Sequence, residues 1–293
     1  MYLVSVLTTA FNREKYIEDA IKSVLNSTFK NFELVIVDDQ STDATLEIAR
    51  EYERQDDRVR VHVNEENLGD YPNRNRAASL AEGKYIKYLD ADDLIYPHGL
   101  EAMVRSIEQF PDAAFGLGRP PSYTVPYPTQ ISPSELFREH FFEGVRWHNS
   151  PLSAIIRREA FEAVGGFSGR PYVGDMEMWL NLGARYPAVK LMGGFGFWRK
   201  HEAQETNYRK TNEELARDTI LRHLVQKEAL RDSECPLPDS EKEAAMDIIR
   251  HRLAREVFWR FRQGKFGVAR EIYKQSGFNL SDFLKVLPSP DKY

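Results

Sequence analysis

The chain has 293 residues, 42% of them hydrophobic and 12% aromatic, which is enough to bury a large core in one domain or in one domain with an appendage. Its formal charge of −5 has the wrong sign for a general nucleic-acid binder, which presents a basic surface. A single cysteine, Cys235, excludes an intrachain disulfide; with no apolar run near the roughly 18 residues of a membrane span and no signal-peptide pattern at the N-terminus, the expected setting is the cytoplasm.

Residues 3–8 (LVSVLT) are apolar and β-prone, and Asn12 is the expected cap of a helix in which Ile17, Ala20, Ile21 and Val24 recur at helical spacing. Phe32–Val37 is a continuous apolar strand that runs into Asp38 and Asp39, and Ser41 or Thr42 is expected to cap a helix carrying Ala44, Ile48 and Tyr52 on one face. Val59, Val61 and Val63 alternate as a third strand. A loop through NEENLGDYPN and a small-residue helix to Ala81 then lead to a fourth strand containing Ile86, Tyr88 and Leu89.

That strand ends in YLDADDL (88–94), where three carboxylates fall within four residues. Like charges this close repel, so the cluster makes physical sense if a divalent cation is shared among them; a solvated acidic loop is the competing reading. A calcium loop is excluded, because the fifth and sixth positions counted from Asp90 are Leu94 and Ile95. Strands alternating with helices imply a mostly parallel sheet whose ligands bind beyond the carboxyl ends of the strands. Asp38 and Asp39, at the end of strand two, and Asp90 to Asp93, at the end of strand four, therefore point at one crevice.

Further on, Pro97 opens a helix and 113–117 reads as a strand. The proline-rich stretch 119–131 is either a wall or lid beside the crevice or a plain surface connection. Ser132 to Glu135 form a capping box for a helix through Phe142; a strand near Leu152–Ile156 and a helix from Arg158 to Val164 follow, stopped by Gly165 and Gly166. Asp175 lies just ahead of a helix containing Met178, Trp179, Leu180 and Leu182, where a carboxylate either caps the helix or faces the crevice. Val189–Met192 and Phe195–Trp198 read as final strands, with Arg199, His201 and Gln204 on the loop beyond. From about residue 211 long charged helices take over, with Ile249, Leu253, Val257 and Phe261 forming an i,i+4 stripe flanked by Phe258 and Trp259 and expected to be core. Nearby basic residues leave contact with anionic lipid open, peripheral to the inner face of a membrane.

Five segments in order resemble the inverting family 2 glycosyltransferases of the GT-A fold: VSVLTTAFNREKYIEDAIKSVLNSTFKNFELVIVDDQSTDAT, NLGDYPNRNRAA, YLDADD, GGF with VGDMEMW, and WRKHEAQ. The resemblance covers residues 3 to about 206. It departs from the family pattern at Ala10, Gln40, Asn73 and Gly174. It implies a Rossmann-like α/β catalytic domain over 1–210, and the charged helices read above make 211–293 a helical extension packing on it. It further implies transfer of a sugar, with inversion, from a nucleotide-diphosphate sugar, UDP-linked by preference, to a hydroxyl of a glycan or lipid-linked glycan in surface polysaccharide or glycoconjugate synthesis. Carried over by position, Thr9, Phe11, Asp39, Arg74 and Asp90 would hold the nucleotide, Asp92 and His201 a Mg²⁺ or Mn²⁺ ion, and Asp175 would be the catalytic base. Trp147, His148, Asp93 and Arg199, with Tyr123 and Tyr127, are candidate contacts to the acceptor or donor sugar. The rival functions are a receiver module phosphorylated on a strand-end aspartate, a sugar-nucleotide pyrophosphorylase, which VLTTAFNRE argues against by lacking glycine, and a nucleotide-sugar-binding protein without turnover.

Overall fold

The computed structural model describes residues 2–119, 125–145, 147, 149–202, 204 and 211–277. In chain order the elements are β1 (Val4–Ala10), α1 (Ile17–Leu25), β2 (Phe32–Asp38), α2 (Thr45–Gln55), β3 (Val59–Val63), α3 (Asp70–Ser79), β4 (Tyr85–Tyr88), β5 (Leu94–Ile95), α4 (Gly99–Ile107), β6 (Phe115–Arg119) and β7 (Thr129–Ile131). They continue with α5 (Pro133–Phe141), β8 (Ala154–Arg157), α6 (Arg158–Ala163), α7 (Gly174–Arg185), β9 (Ala188–Met192), β10 (Gly196–Phe197), α8 (Asn212–Arg231), α9 (Asp239–Arg262) and α10 (Phe266–Ser276).

Eight strands form one sheet in the order β3-β2-β1-β4-β8-β6-β9-β7. It is parallel from β3 to β4 and between β6 and β9, while β8 and β7 run antiparallel to their neighbours. Strand periodicity sets the layers. Leu34 and Ile36 face one hydrophobic core and Val35 and Val37 the other, all with no exposed surface, so β2 needs apolar side chains at every position. Helix α1 covers the first core with Ile17, Ala20, Ile21 and Val24. The second core continues through α5 and α7 into α8 and α9, where it takes in Val225, Leu230, Ala245 and Ile249.

Several local expectations change once tertiary contacts are present. Asn12 does not cap α1; it sits at φ 52°, and its Oδ1 accepts from the Thr42 N–H at 2.8 Å, tying the loop after β1 to the loop after β2. Neither Ser41 nor Thr42 caps α2, which starts at Thr45 after Ala44. Helix α3 begins at Asp70, so DYPN is helical, with Pro72 in the first turn, where the missing N–H costs nothing. Thr129–Ile131 of the proline-rich stretch is an edge strand, and residues 120–124 lie outside the described set. Gln40 holds a left-handed φ of 68°, a conformation that favours glycine, and its side-chain amide donates to the Asn64 carbonyl. The last strand shrinks to the two-residue β10, which pairs antiparallel with β5 as a separate ribbon.

Helices α8, α9 and α10 share a small core of their own, including Ala216, Ile220, Leu253, Val257, Val268 and Ile272. Phe261 leaves the predicted stripe: Ile249, Leu253 and Val257 are buried, but Phe261 is 58% exposed. His223, buried on α8, has its pKa pushed down to about 4 by desolvation and by nearby Lys227 and Arg250. The unfolded chain therefore binds more protons between about pH 4 and 6.5, and stability falls as the pH drops through that window. Between pH 7 and pH 4.5 the wild type is expected to lose about 2 kcal/mol more stability than His223→Gln, read as the shift in denaturant midpoint.

Candidate active site

A cavity of about 600 Å³ opens beyond the carboxyl ends of β1, β2 and β4. It is lined by residues as far apart in sequence as Thr9 and Asp175, and Phe11, Asp39, Arg74, Asp90 and Asp92 face it as well. This is the crevice that a doubly wound sheet leaves at its carboxyl edge.

Asp39 is held from three sides. Its Oδ1 accepts from Asn64 Nδ2 at 2.6 Å and the Leu68 N–H at 2.9 Å, and its Oδ2 accepts from the Gly69 N–H at 2.9 Å. A carboxylate has about four acceptor positions, so one remains for a donor in the cavity. Phe11, 45% exposed at the rim, offers a ring face. Gly69 has a φ of 80°, which lets the chain turn into α3 while presenting its N–H to Asp39.

Arg74 is a buried strut. Its Nε donates to Asp70 at 2.7 Å, its Nη2 pairs with Asp90 at 2.7 Å, and Nη1 has no hydrogen-bond partner within the protein. Burial works against its charge, but Asp70, Asp90 and Asp175 outweigh that and raise its pKa above the ordinary value. Asp175 lies in the first turn of α7, not at the cap, where the helix dipole favours a negative charge. Gly174 beside it is dictated by packing: a Cβ there would lie 2.4 Å from the Tyr71 ring. Tyr71 thus occupies the space that a larger residue at 174 would need.

Asp92 sits at the centre of a second cluster. Its Oδ2 meets Arg13 Nε at 2.9 Å and His201 Nε2 at 2.9 Å. The ribbon of β5 and β10 brings His201 here across 109 residues of sequence. Arg199 clamps the same loop: its N–H donates to Asp93 Oδ1 at 3.0 Å, its Nε to the Asp92 carbonyl at 3.0 Å, and its Nη2 pairs with Asp19 at 2.9 Å. Asp93 is 1% exposed, and its pKa is raised to about 7 by burial and by the charges of Asp90 and Asp92. Asp93 and Arg199 therefore hold the loop together and do not line the cavity.

Asp92 and His201 are residue types that could hold a divalent ion, but His201 does not line the cavity, and Asp92 Oδ2 is shared by His201 Nε2 and Arg13 Nε, so an ion there would compete with Arg13. Among the described residues no third His, Cys, Asp or Glu completes a cluster; an ion at Asp92 would need further ligands from a bound molecule and water.

Other sequence candidates lie elsewhere. Trp147 is wholly buried, under the Arg119 guanidinium at 4.9 Å and edge-on to Phe115, so it offers no surface to a sugar. His148 and Tyr123 lie outside the described residues, and Tyr127 does not line the cavity. The sequence reading also missed several groups. Arg13, Asn67, Tyr172 and Trp198 line the cavity. Lys87, read as part of an apolar strand, is fully buried and donates to the carbonyls of Tyr88, Pro151 and Leu152 at 2.7, 3.1 and 2.6 Å. Burial pushes its ammonium down to about 7, against the pull of Asp90 and Asp93, while its three acceptors match the three N–H groups of an ammonium. A lysine within a strand betrays itself only by interrupting the hydrophobic run.

Residues 5–165 match the family model described as Glycosyl transferase family 2. TuaG of Bacillus subtilis (strain 168), provisionally described as a teichuronic acid biosynthesis glycosyltransferase, is 46% identical over 91 residues, 31% of this chain and 36% of its own. The chain spans about a third of the length of the first curated relatives it matches. Among solved structures, S. aureus TarS 1–349 in complex with UDP-GlcNAc superposes with a TM-score of 0.71 at 20% identity, covering 98% of this chain and 82% of that one. The mannosyltransferase PcManGT from Pyrobaculum calidifontis, in complex with GDP-Man and Mn²⁺, superposes with a TM-score of 0.61 at 17% identity over 97% and 85% of the two chains. At these identities the structural likeness establishes the fold alone, a GT-A sheet with C-terminal helices.

Lys87→Met removes the donor while leaving three carbonyls, those of Tyr88 and Pro151 buried and that of Leu152 partly buried, that lose a partner. The expected cost is about 3 kcal/mol, read from the denaturant midpoint; an unchanged midpoint would show that Lys87 does not hold the 150–152 segment against β4.

Proposed function

The chain belongs to glycosyl transferase family 2, and we propose that it transfers a hexosyl or related sugar from a UDP-sugar to a hydroxyl of a glycan or lipid-linked glycan, with inversion, on the cytoplasmic side of bacterial-type surface polysaccharide synthesis. The observation that carries this reading is that one cavity gathers the strand-end carboxylates, Arg74 and Asp175 although they come from separate parts of the chain. We assign the catalytic unit to residues 1–210 and the helical extension to 211–293.

In this reading the base lies against Phe11 and donates to the remaining acceptor position of Asp39, beside Thr9. Asp90, fixed by Arg74, faces the ribose. Asp92 and His201 would hold a divalent ion, which would supply positive charge against the departing diphosphate. Arg13, already within 2.9 Å of Asp92, adds a cation on the same side. Asp175 takes the proton from the acceptor hydroxyl as that oxygen attacks the anomeric carbon from the face opposite the leaving group. Arg74, near Asp175, compensates part of the negative charge of the site. The UDP preference draws on the fold shared with TarS, solved with UDP-GlcNAc, and the metal on the fold shared with PcManGT, solved with Mn²⁺. The polysaccharide setting draws on the relative described in teichuronic acid biosynthesis.

A screen of nucleotide sugars for metal-dependent hydrolysis without acceptor tests the reading; complete inertness with every donor, with and without Mn²⁺, would favour a binding protein without turnover. With the active donor, Asp175→Asn is expected to lower turnover about 10²–10⁴-fold while donor affinity holds, and near-normal turnover would remove Asp175 from the role of base. Asp92→Ala should abolish the dependence of donor affinity on Mn²⁺, measured by calorimetry at matched ionic strength.

A further inference from the structure

The turn between α9 and α10 carries a second functional surface. Trp259, Phe261 and Phe266 are 55, 58 and 58% exposed, and every residue from Phe261 to Gly267 is exposed. These rings are not spare core. The helical extension already fills its interior with Leu253, Val257, Val268 and Ile272, and Phe261 and Phe266 pack on each other edge to face, with centroids 5.0 Å apart, outside it. Phe261 and Phe266 thus form one exposed apolar point at the turn, which marks an interaction surface, while Trp259, two residues before Phe261 on α9, lies on another face of the helix.

The charge around them identifies the partner. Between Arg250 and Lys274 the chain carries eight Lys or Arg residues and two Glu, a local excess of six positive charges on a chain whose total is −5. Arg255, Arg262, Lys265 and Arg270 are exposed among the rings. Arg262 also lies over the Phe258 ring at 6.0 Å. Rings that enter the headgroup and acyl boundary, interleaved with cations that meet anionic headgroups, are the chemistry of an interfacial membrane contact. Two other occupants fit less well. A two-fold contact with a second copy would set one basic patch against another. A single-stranded nucleic acid tracks along a basic groove, whereas these residues crowd a tight turn at Gln263–Lys265.

We propose that the α9–α10 turn is an anionic-membrane docking surface, with Phe261 and Phe266 entering the lipid interface and Arg262 and Lys265 meeting the headgroups. No helix among the described residues is long and apolar enough to cross a membrane. The contact is independent of the sugar-transfer reading. Each basic residue brought to an anionic surface strengthens binding about fivefold, so the contact is reversible and weakens with salt.

Flotation of the full chain with vesicles of phosphatidylcholine alone, or containing about a third phosphatidylglycerol, tests this. The chain is expected to float only with the anionic vesicles, and less as salt rises. Phe261→Ala/Phe266→Ala should cut the partition coefficient about tenfold or more, and Arg262→Glu/Lys265→Glu should cut it at low salt. Circular dichroism should show both variants folded, with any loss in thermal midpoint small, since these side chains lie outside the core of the extension. Equal flotation with both vesicle types, or undiminished flotation of the ring variant, would overturn the proposal. So would a wild-type dimer, seen by light scattering, that the ring variant dissolves, or tighter binding to a single-stranded oligonucleotide than to anionic vesicles.

Discussion

The site is organised around an electrostatic mismatch. Among the described residues, five aspartates, Asp39, Asp70, Asp90, Asp92 and Asp175, line the cavity with two guanidinium groups, Arg13 and Arg74. Arg74 is committed to Asp70 and Asp90, and Arg13 to Asp92. On the proposed function, a divalent cation held at Asp92 would offset part of this negative charge against an incoming diphosphate.

The scaffold meets this constraint by fixing Asp39 and Asp92 with groups from separate segments of the chain. Backbone N–H groups of Leu68 and Gly69 hold Asp39, and the short β5–β10 ribbon brings Arg199 and His201 onto Asp92 and Asp93. Lys87 fastens the end of β4 to the segment that carries Ser150 and Pro151 into the cavity wall. Rigid support of this kind matters because displacements of about an ångström at a reacting centre cost orders of magnitude in rate.

The parallel half of the sheet and the carboxylates at its edge were legible in the sequence, because continuous apolar strands and strand-end aspartates are local patterns. What escaped depends on contacts between distant segments. Nothing near Lys87 says that three carbonyls from elsewhere will satisfy it. The role of Arg199 rests on a partner 107 residues away, and Trp147 reads as readily for a sugar platform as for the core residue it is. Helix caps failed at Asn12 and Ser41 because tertiary hydrogen bonds between the two loops took their side chains. The i,i+4 stripe misled at Phe261 because α10 turns back at Gly264 and covers only the earlier turns of α9.

A crystal structure with UDP and Mn²⁺, using the anomalous signal of manganese, tests the central claim most directly. The expected result is one manganese peak bonded to the Asp92 carboxylate and to diphosphate oxygens, with the uracil between Phe11 and Asp39. Manganese bound away from Asp92, or a nucleotide seated outside the cavity at the carboxyl ends of β1, β2 and β4, would contradict it.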